Sequence, residues 1–249
     1  MTDTITSSVQ CYRFSADPAA MITFLEALGM VRSVSTEGDG YALMRAAGGS
    51  VGVHAASGSS TGAVPGQTQL CLEVASVDDV SAIEGVQVWD ESYGRQAGVT
   101  DSFGGGIWID ERQSDLYGYT DHDDPPRAGL FVTAVRYSPA FAPDVELFAR
   151  FGLAAGQGDE WWQPLTAADG SVVGLHKPSG QPITAPASEN PVGDNSVCDL
   201  GFETTEPLEG VRDRLVAAGY DASLHTDEVG AAVHVTDPDG CHVEVHQRR

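Results

Sequence analysis

Residues 48–58 read GGSVGVHAASG, and residues 169–180 repeat this phrase as DGSVVGLHKPSG. Each copy carries a histidine, His54 or His176, just before a loop-like stretch that contains serine and glycine. A phrase that returns about half a chain length later indicates an internal repeat, which decides how the rest of the fold is interpreted.

The repeat extends upstream of the shared phrase. Residues 9–30, VQCYRFSADPAAMITFLEALGM, align without a gap with residues 132–153, VTAVRYSPAFAPDVELFARFGL. In this alignment Arg13 matches Arg136. The first half of the chain is therefore predicted to recur in the second half, shifted by about 120 residues.

Each half divides again into units with the element order β-α-β-β-β. Residues 10–14 (QCYRF) are typical of a strand, and residues 18–29 (PAAMITFLEALG) place apolar side chains three and four positions apart, as a helix does. Pro18 suits the start of that helix and Gly29 its end. In the second quarter only VDDVSAIEG is available, so we expect a shorter helix there.

Four such units are predicted, joined by linkers rich in proline, glycine and serine. The units span residues 8–56, 67–112, 130–178 and 195–247. The linkers span residues 57–66, 121–129 and 179–193. We place the domain boundary near the middle linker, with a first domain over residues 1–122 and a second over residues 128–249.

Composition excludes several classes of partner. The chain has 249 residues and a net charge of −23, so it repels the phosphate backbone of nucleic acids. It contains no apolar run long enough to span a bilayer, and MTDTITSS at the start lacks the features of a secretory signal. We therefore expect no membrane partner and a cytoplasmic location. The four cysteines have no paired spacing and are predicted to be buried free thiols.

The helix ends FLEALGM and LFARFGL and the segment DPDGCHVEV (237–245) resemble the vicinal oxygen chelate superfamily, which includes glyoxalase I, extradiol dioxygenases and bleomycin-resistance proteins. The resemblance covers roughly residues 8–247. It implies an α+β fold of two tandem glyoxalase-like domains, each a curved, half-open mixed sheet of eight strands with helices outside. A small molecule or a metal would lie in the cleft of such a sheet.

The resemblance also implies site residues, because family members take metal ligands from the first and last strands of each unit. The corresponding positions in the first half are Gln10, His54, Gln69 and Asp110. In the second half they are Thr133, His176, Asp199 and Glu244. We expect His176, Asp199 and Glu244 to hold a divalent ion such as Zn²⁺, Ni²⁺, Mn²⁺ or Fe²⁺, with Glu244 or Asp199 as general base.

Strand alternation gives a check that does not depend on the family. In residues 242–246 (HVEVH) the valines take one face, and Glu244 shares the other face with His242 and His246. Those two histidines could reach one metal ion or simply face water, and the sequence favours water. The remaining histidines, His122, His225 and His234, lie in acidic or loop-like contexts and carry no sequence signal for a site.

Two functions are compatible with these patterns. The first is a metal-dependent lyase or isomerase that acts on a small molecule, with Glu244 as the catalytic residue. This is favoured over a dioxygenase because His176, Asp199 and Glu244 are not the usual two histidines and one carboxylate. The alternative is a drug- or metabolite-binding protein of the bleomycin-resistance type, in which aromatic residues line the cleft.

The residues expected to contact ligand are Gln10, Tyr12, His54, Gln69, Trp108, Asp110, Thr133 and Trp162. The sequence allows a monomer or a homodimer, and it leaves open whether units pair within a chain or between chains.

Overall fold

The computed structural model describes residues 5–91, 94–112, 118–178, 198–227 and 230–248. The predicted linker over residues 179–193 lies outside these ranges. Within the described ranges, no helix has the length and apolar character needed to span a bilayer. Cys11, Cys71 and Cys198 are buried free thiols, as predicted, whereas Cys241 is partly exposed.

Three α-helices are present: α1 (Pro18–Leu28), α2 (Phe141–Arg150) and α3 (Leu208–Ala217). At the start of α1 the Asp17 carboxylate accepts a hydrogen bond from the backbone N–H of Ala20 (3.1 Å). Gly29 ends the helix with φ 109°, a conformation that favours glycine. The second unit has only a 3₁₀ turn, Val77–Asp79, at the position of its helix. The short apolar stretch in the sequence explains this reduction.

The strands form two mixed sheets, one from each half of the chain. The first contains β1 (Ser7–Ser15), β2 (Val31–Ser35), β3 (Tyr41–Arg45), β4 (Ser50–Ala55), β5 (Thr68–Val74), β6 (Gln87–Glu91), β7 (Gly94–Thr100), β8 (Gly106–Glu111) and β9 (Thr120–Asp121). Its order is β6-β7-β8-β5-β1-β4-β3-β2-β9. The expected eight strands are thus joined by a ninth, because Thr120 and Asp121 pair with the edge strand β2.

The second sheet has eight strands. They are β10 (Leu130–Tyr137), β11 (Ala154–Ala155), β12 (Trp162–Thr166), β13 (Val172–His176), β14 (Asp199–Thr204), β15 (Ala222–Thr226), β16 (Ala231–Thr236) and β17 (His242–Gln247). The order is β11-β12-β13-β10-β14-β17-β16-β15. The predicted α+β fold with four β-α-β-β-β units is confirmed, with the helix of the second unit reduced to a turn.

Units pair within one chain, which answers the question that the sequence left open. β1 and β5, the first strands of the first two units, are antiparallel neighbours, and β10 and β14 repeat this pairing in the second half. Because side chains alternate along each strand, one face of each sheet carries aliphatic residues that pack against helices. The opposite face, which we call the site face, carries the residues that the resemblance implied.

The two halves are joined by a continuous hydrophobic core and by two buried ion pairs. Arg13 of β1 pairs with Asp237, which lies in the turn before β17. Its repeat equivalent, Arg136 of β10, pairs with Asp101 in the turn before β8. Each of these aspartates also accepts backbone hydrogen bonds inside its own turn. The boundary between predicted domains at residues 121–129 stays a prediction.

Candidate functional site

The predicted polar residues of the first half form a closed hydrogen-bond network around Asp110. One carboxylate oxygen accepts from Gln10 Nε2 (2.6 Å), and the other accepts from the Tyr12 hydroxyl (2.5 Å) and from Gln96 Nε2 (2.7 Å). Burial raises the pKa of Asp110, while these three hydrogen bonds oppose the rise. Both carboxylate oxygens of Asp110 therefore already accept hydrogen bonds from neighbouring side chains, although Asp110 is partly exposed.

Aromatic rings enclose His54, the histidine of the first repeated phrase. Its ring centroid lies 4.8 Å from that of Tyr41, 5.3 Å from that of Tyr12 and 5.5 Å from that of Phe14. Burial lowers the pKa of His54 to about 4, so its imidazole is neutral at physiological pH. His54 thus belongs to an aromatic cage.

Two further predicted residues of the first half, Gln69 and Trp108, are buried. Gln69 is buried, and its carbonyl oxygen Oε1 has no hydrogen-bond partner in the described structure. Trp108 is buried against Cys71 and contacts Tyr12 and Trp89. The structure therefore brings the first-half residues together and packs several of them against one another.

The site face of the second half is more open. Thr133, Gly201 and Glu244 lie side by side on the neighbouring strands β10, β14 and β17. His234 of β16 is directly paired with Glu244. Thr133 is buried, its hydroxyl has no partner within the described ranges, and Gly201 has no side chain. The possible metal ligands beside Glu244 therefore come from β16 and β17. The resemblance implied ligands from β10, β13, β14 and β17, of which the first three lie farther from this edge of the sheet.

Glu244 lies at the centre of a group that we call the histidine cluster: His225, His234, His242, His246 and Glu244. Glu244 Oε1 is 3.1 Å from His242 Nε2 and 3.8 Å from His234 Nε2, and Glu244 Oε2 is 2.8 Å from His246 Nε2. The ring centroids of His225 and His234 are 4.2 Å apart in a stacked arrangement.

The cluster contains a donor set suited to a transition metal. Ligand atoms of His234, His242 and Glu244 lie within 4.8 Å of one another, and no other described histidine, cysteine, aspartate or glutamate residues form a group of three that meets this distance. The hydrogen bond from His246 lowers the pKa of Glu244 to about 2, so the carboxylate is ionised at neutral pH. Side chains here are 27–55% exposed, which leaves room for an ion.

The other predicted metal ligands lie apart from this set. Asp199 accepts a hydrogen bond from the Tyr137 hydroxyl (2.8 Å), and the Tyr137 ring contacts His176 at a centroid distance of 5.6 Å. Neither His176 nor Asp199 belongs to the group of ligand atoms that lie within 4.8 Å of one another. The structure therefore does not assemble His176, Asp199 and Glu244 as one triad.

The adjacent tryptophans Trp161 and Trp162 have different environments. Trp162 covers Gly174, where an added Cβ would clash with the indole ring. Its ring also lies 6.4 Å from that of His176. Trp161 is 53% exposed, with the Lys177 ammonium 5.6 Å from its ring centroid. Trp162 therefore covers the site face at Gly174, whereas Trp161 faces solvent.

The sequence-based argument missed His234. Its alternation within AAVHVT (231–236) places it opposite Val233 and Val235, and this pattern was available in the sequence. What the sequence lacked was the pairing of β16 with β17, which puts His234 next to Glu244.

No protein-family model and no curated protein matches the sequence. Solved structures do match its fold. A catechol 2,3-dioxygenase is 14% identical with a TM-score of 0.59, over 98% of this chain and 88% of that protein. The 2,3-dioxygenase LapB from Pseudomonas sp. KL28 is 11% identical with a TM-score of 0.59, over 98% and 92%.

A third match is a fusion of a xylose isomerase-like TIM barrel with 4-hydroxyphenylpyruvate dioxygenase, 14% identical with a TM-score of 0.59. The match includes 99% of this chain but only 49% of the fusion protein, so the chain spans about half the length of that protein. The TM-scores and the coverage of this chain show a shared fold, and at 11–14% identity they show the fold alone. The chain therefore has the fold of these solved dioxygenase structures, which is the fold that the resemblance implied.

Proposed function

We propose that the protein is a divalent-metal-dependent enzyme that acts on a small oxygen-bearing molecule at the site face of its second half. The observation that carries this proposal is the grouping of His234, His242 and Glu244 within 4.8 Å. Two imidazoles and one carboxylate suit Fe²⁺, Mn²⁺, Ni²⁺ or Zn²⁺ and leave coordination positions for other ligands.

This assignment keeps Glu244 from the predicted set and replaces the other two ligands. Thr133 on β10 and Gly201 on β14 lie beside Glu244. Thr133 offers a buried hydroxyl, and Gly201 offers only its backbone. Neither is a usual ligand for these metals. His234 and His242 supply the imidazoles instead, from the same side of the sheet as Glu244.

Asp199 and Tyr137 also have roles in the proposed reaction. A bound divalent ion would act as a Lewis acid towards oxygen atoms of the substrate. Asp199 is exposed and offers a carboxylate as general base. Burial and the contact with Asp199 raise the pKa of Tyr137 to about 12, so its hydroxyl stays protonated and orients that carboxylate.

The donor set also bears on the reaction class. Two histidines and one carboxylate with open positions are typical of non-haem Fe²⁺ oxygenases. Since the proteins with matching folds include catechol 2,3-dioxygenase, we rank oxygenase chemistry above the lyase or isomerase reaction that the sequence favoured. The lyase or isomerase reaction remains the second candidate.

The binding-protein alternative has one observation in its favour. Trp161 is exposed beside Lys177 and could stack against a flat ligand. Such a protein would show saturable tryptophan quenching that a chelator does not change. A cytoplasmic location and a monomeric or homodimeric state stay predictions.

Metal content tests the proposal. Protein purified without an affinity tag and incubated with Fe²⁺, Mn²⁺, Ni²⁺ or Zn²⁺ should bind about one ion per chain by elemental analysis. Glu244→Gln and His234→Ala should lose it, whereas His176→Ala and the surface control Glu209→Gln should keep it. A wild-type protein that binds none of the four metals would overturn the proposed function. Loss of metal in His176→Ala would restore the ligand set implied by the resemblance.

A further inference from the structure

We propose that His246 is a positioning residue that holds the Glu244 carboxylate from outside the metal's ligand set. This inference rests on the proposed function. His246 lies two residues after Glu244 on β17, so both side chains are on the site face. It would set which carboxylate oxygen is available to the ion and so tune metal affinity.

The two carboxylate oxygens of Glu244 have separate partners. Oε1 faces the imidazoles of His242 and His234, at 3.1 and 3.8 Å. Oε2 faces His246 alone among the three histidines, at 2.8 Å. His246 does not belong to the group of ligand atoms within 4.8 Å of one another. His246 Nε2 therefore contacts Oε2, and the two proposed imidazole ligands lie nearest the other oxygen, Oε1.

The chemistry of this contact fixes the direction of the hydrogen bond. An ionised carboxylate can only accept, so His246 Nε2 must carry the proton and donate it to Oε2. A nitrogen that donates in this way has no lone pair for a metal ion. The bond occupies Oε2, leaves Oε1 for the ion and restricts rotation of the carboxylate. Such outer partners of metal ligands typically change metal affinity by 10–100-fold.

The surroundings of His246 agree with a supporting role. Its direct neighbour on β14 is Glu203, which is itself 3.5 Å from the Arg248 guanidinium. On the opposite side of the cluster, His225 stacks on His234 and contacts the Ser223 hydroxyl at 2.9 Å. The inner group of His234, His242 and Glu244 is thus flanked by one histidine on each side.

Titration of wild type and variants with Co²⁺ in competition with a chromogenic chelator tests this role. His246→Ala should weaken Co²⁺ binding about 10–100-fold, yet the visible spectrum at saturating Co²⁺ should keep its shape because the ligand set is unchanged. His246→Gln should recover most of the affinity, since its amide can donate to Oε2. His242→Ala should abolish stoichiometric binding, and the remote control His122→Ala should match wild type.

Each other outcome contradicts a specific statement. If His246→Ala binds Co²⁺ as tightly as wild type, the positioning role is wrong while the proposed function stands. If His246→Ala changes the saturated spectrum and His246→Gln does not restore affinity, His246 is itself a ligand and the inference is overturned. If wild type binds no Co²⁺ but folds normally, the proposed function fails and the inference fails with it.

Discussion

The enclosed histidine of the first half makes stability depend on pH in a calculable way. Burial lowers the pKa of His54 to about 4, from an ordinary value of 6.5. As pH falls, the unfolded chain takes up the proton first, so the contribution of this group is complete above pH 6.5 and is lost towards pH 4. From these two pKa values the loss is about 2 kcal/mol at pH 5 and about 3 kcal/mol at pH 4.

His54→Phe isolates this contribution. Phenylalanine keeps a ring among Tyr12, Phe14 and Tyr41 but cannot take up a proton. We would measure urea unfolding by tryptophan fluorescence at pH 7, 6, 5 and 4 for wild type and variant. Other titrating groups cancel in the difference between the two proteins. The free energy of unfolding of the variant should therefore rise relative to wild type by about 2 kcal/mol between pH 7 and pH 5.

The control for this experiment is His122→Gln, which changes a histidine outside the aromatic cage. His122 contacts the Ser35 hydroxyl at 2.8 Å, away from the rings around His54. Because this variant keeps His54 and its aromatic cage, it should retain the loss of stability between pH 7 and pH 5 that His54 causes. If His54→Phe and wild type lose stability in parallel between pH 7 and pH 5, His54 is not a buried neutral imidazole and the reasoning is wrong.

Two further predictions concern buried charges. Arg13→Met leaves the Asp237 carboxylate buried without its counter-charge, so it should lower the free energy of unfolding by about 3–5 kcal/mol. The double variant Arg13→Met with Asp237→Asn should recover part of this loss. Urea unfolding of the single and double variants checks this, and a single variant within 1 kcal/mol of wild type would contradict it. Asp110→Asn removes the ionisable acceptor of three hydrogen bonds and should cost about 1–3 kcal/mol in the same assay, whereas unchanged stability would show that the network contributes nothing.

Local patterns predicted much of the fold. The spacing of apolar residues in 18–29 predicts helix α1, and the duplicated phrase predicts that β4 and β13 are equivalent strands, as observed. Alternation also places Glu244 and its neighbouring histidines on one face of β17. These features depend only on residues close together in the chain, where helix and strand periods govern side-chain direction.

The composition of the candidate site could not be predicted in the same way. His234 meets Glu244 through the register between β16 and β17, and His176 does not join the group of ligand atoms around Glu244. Both facts depend on pairing between segments, which a single sequence does not specify. The closure of the network around Asp110 likewise needs Gln96 from β7, a residue that no pattern in the sequence marks.

The two arginine–aspartate pairs have a consequence for how the two halves of the chain can differ from each other. Arg13 reaches a turn of the second half, and Arg136 reaches the equivalent turn of the first half. Contacts that are reciprocal in this way are those of a twofold homodimer, in which one surface patch recognises itself. A single half could satisfy both contacts by associating with its own copy. Joining two copies in one polypeptide keeps that symmetric contact. It also allows the residues on the site faces of the two halves to differ. In this chain the polar residues around Asp110 bond to one another, whereas the second half has a more exposed set of histidines around Glu244.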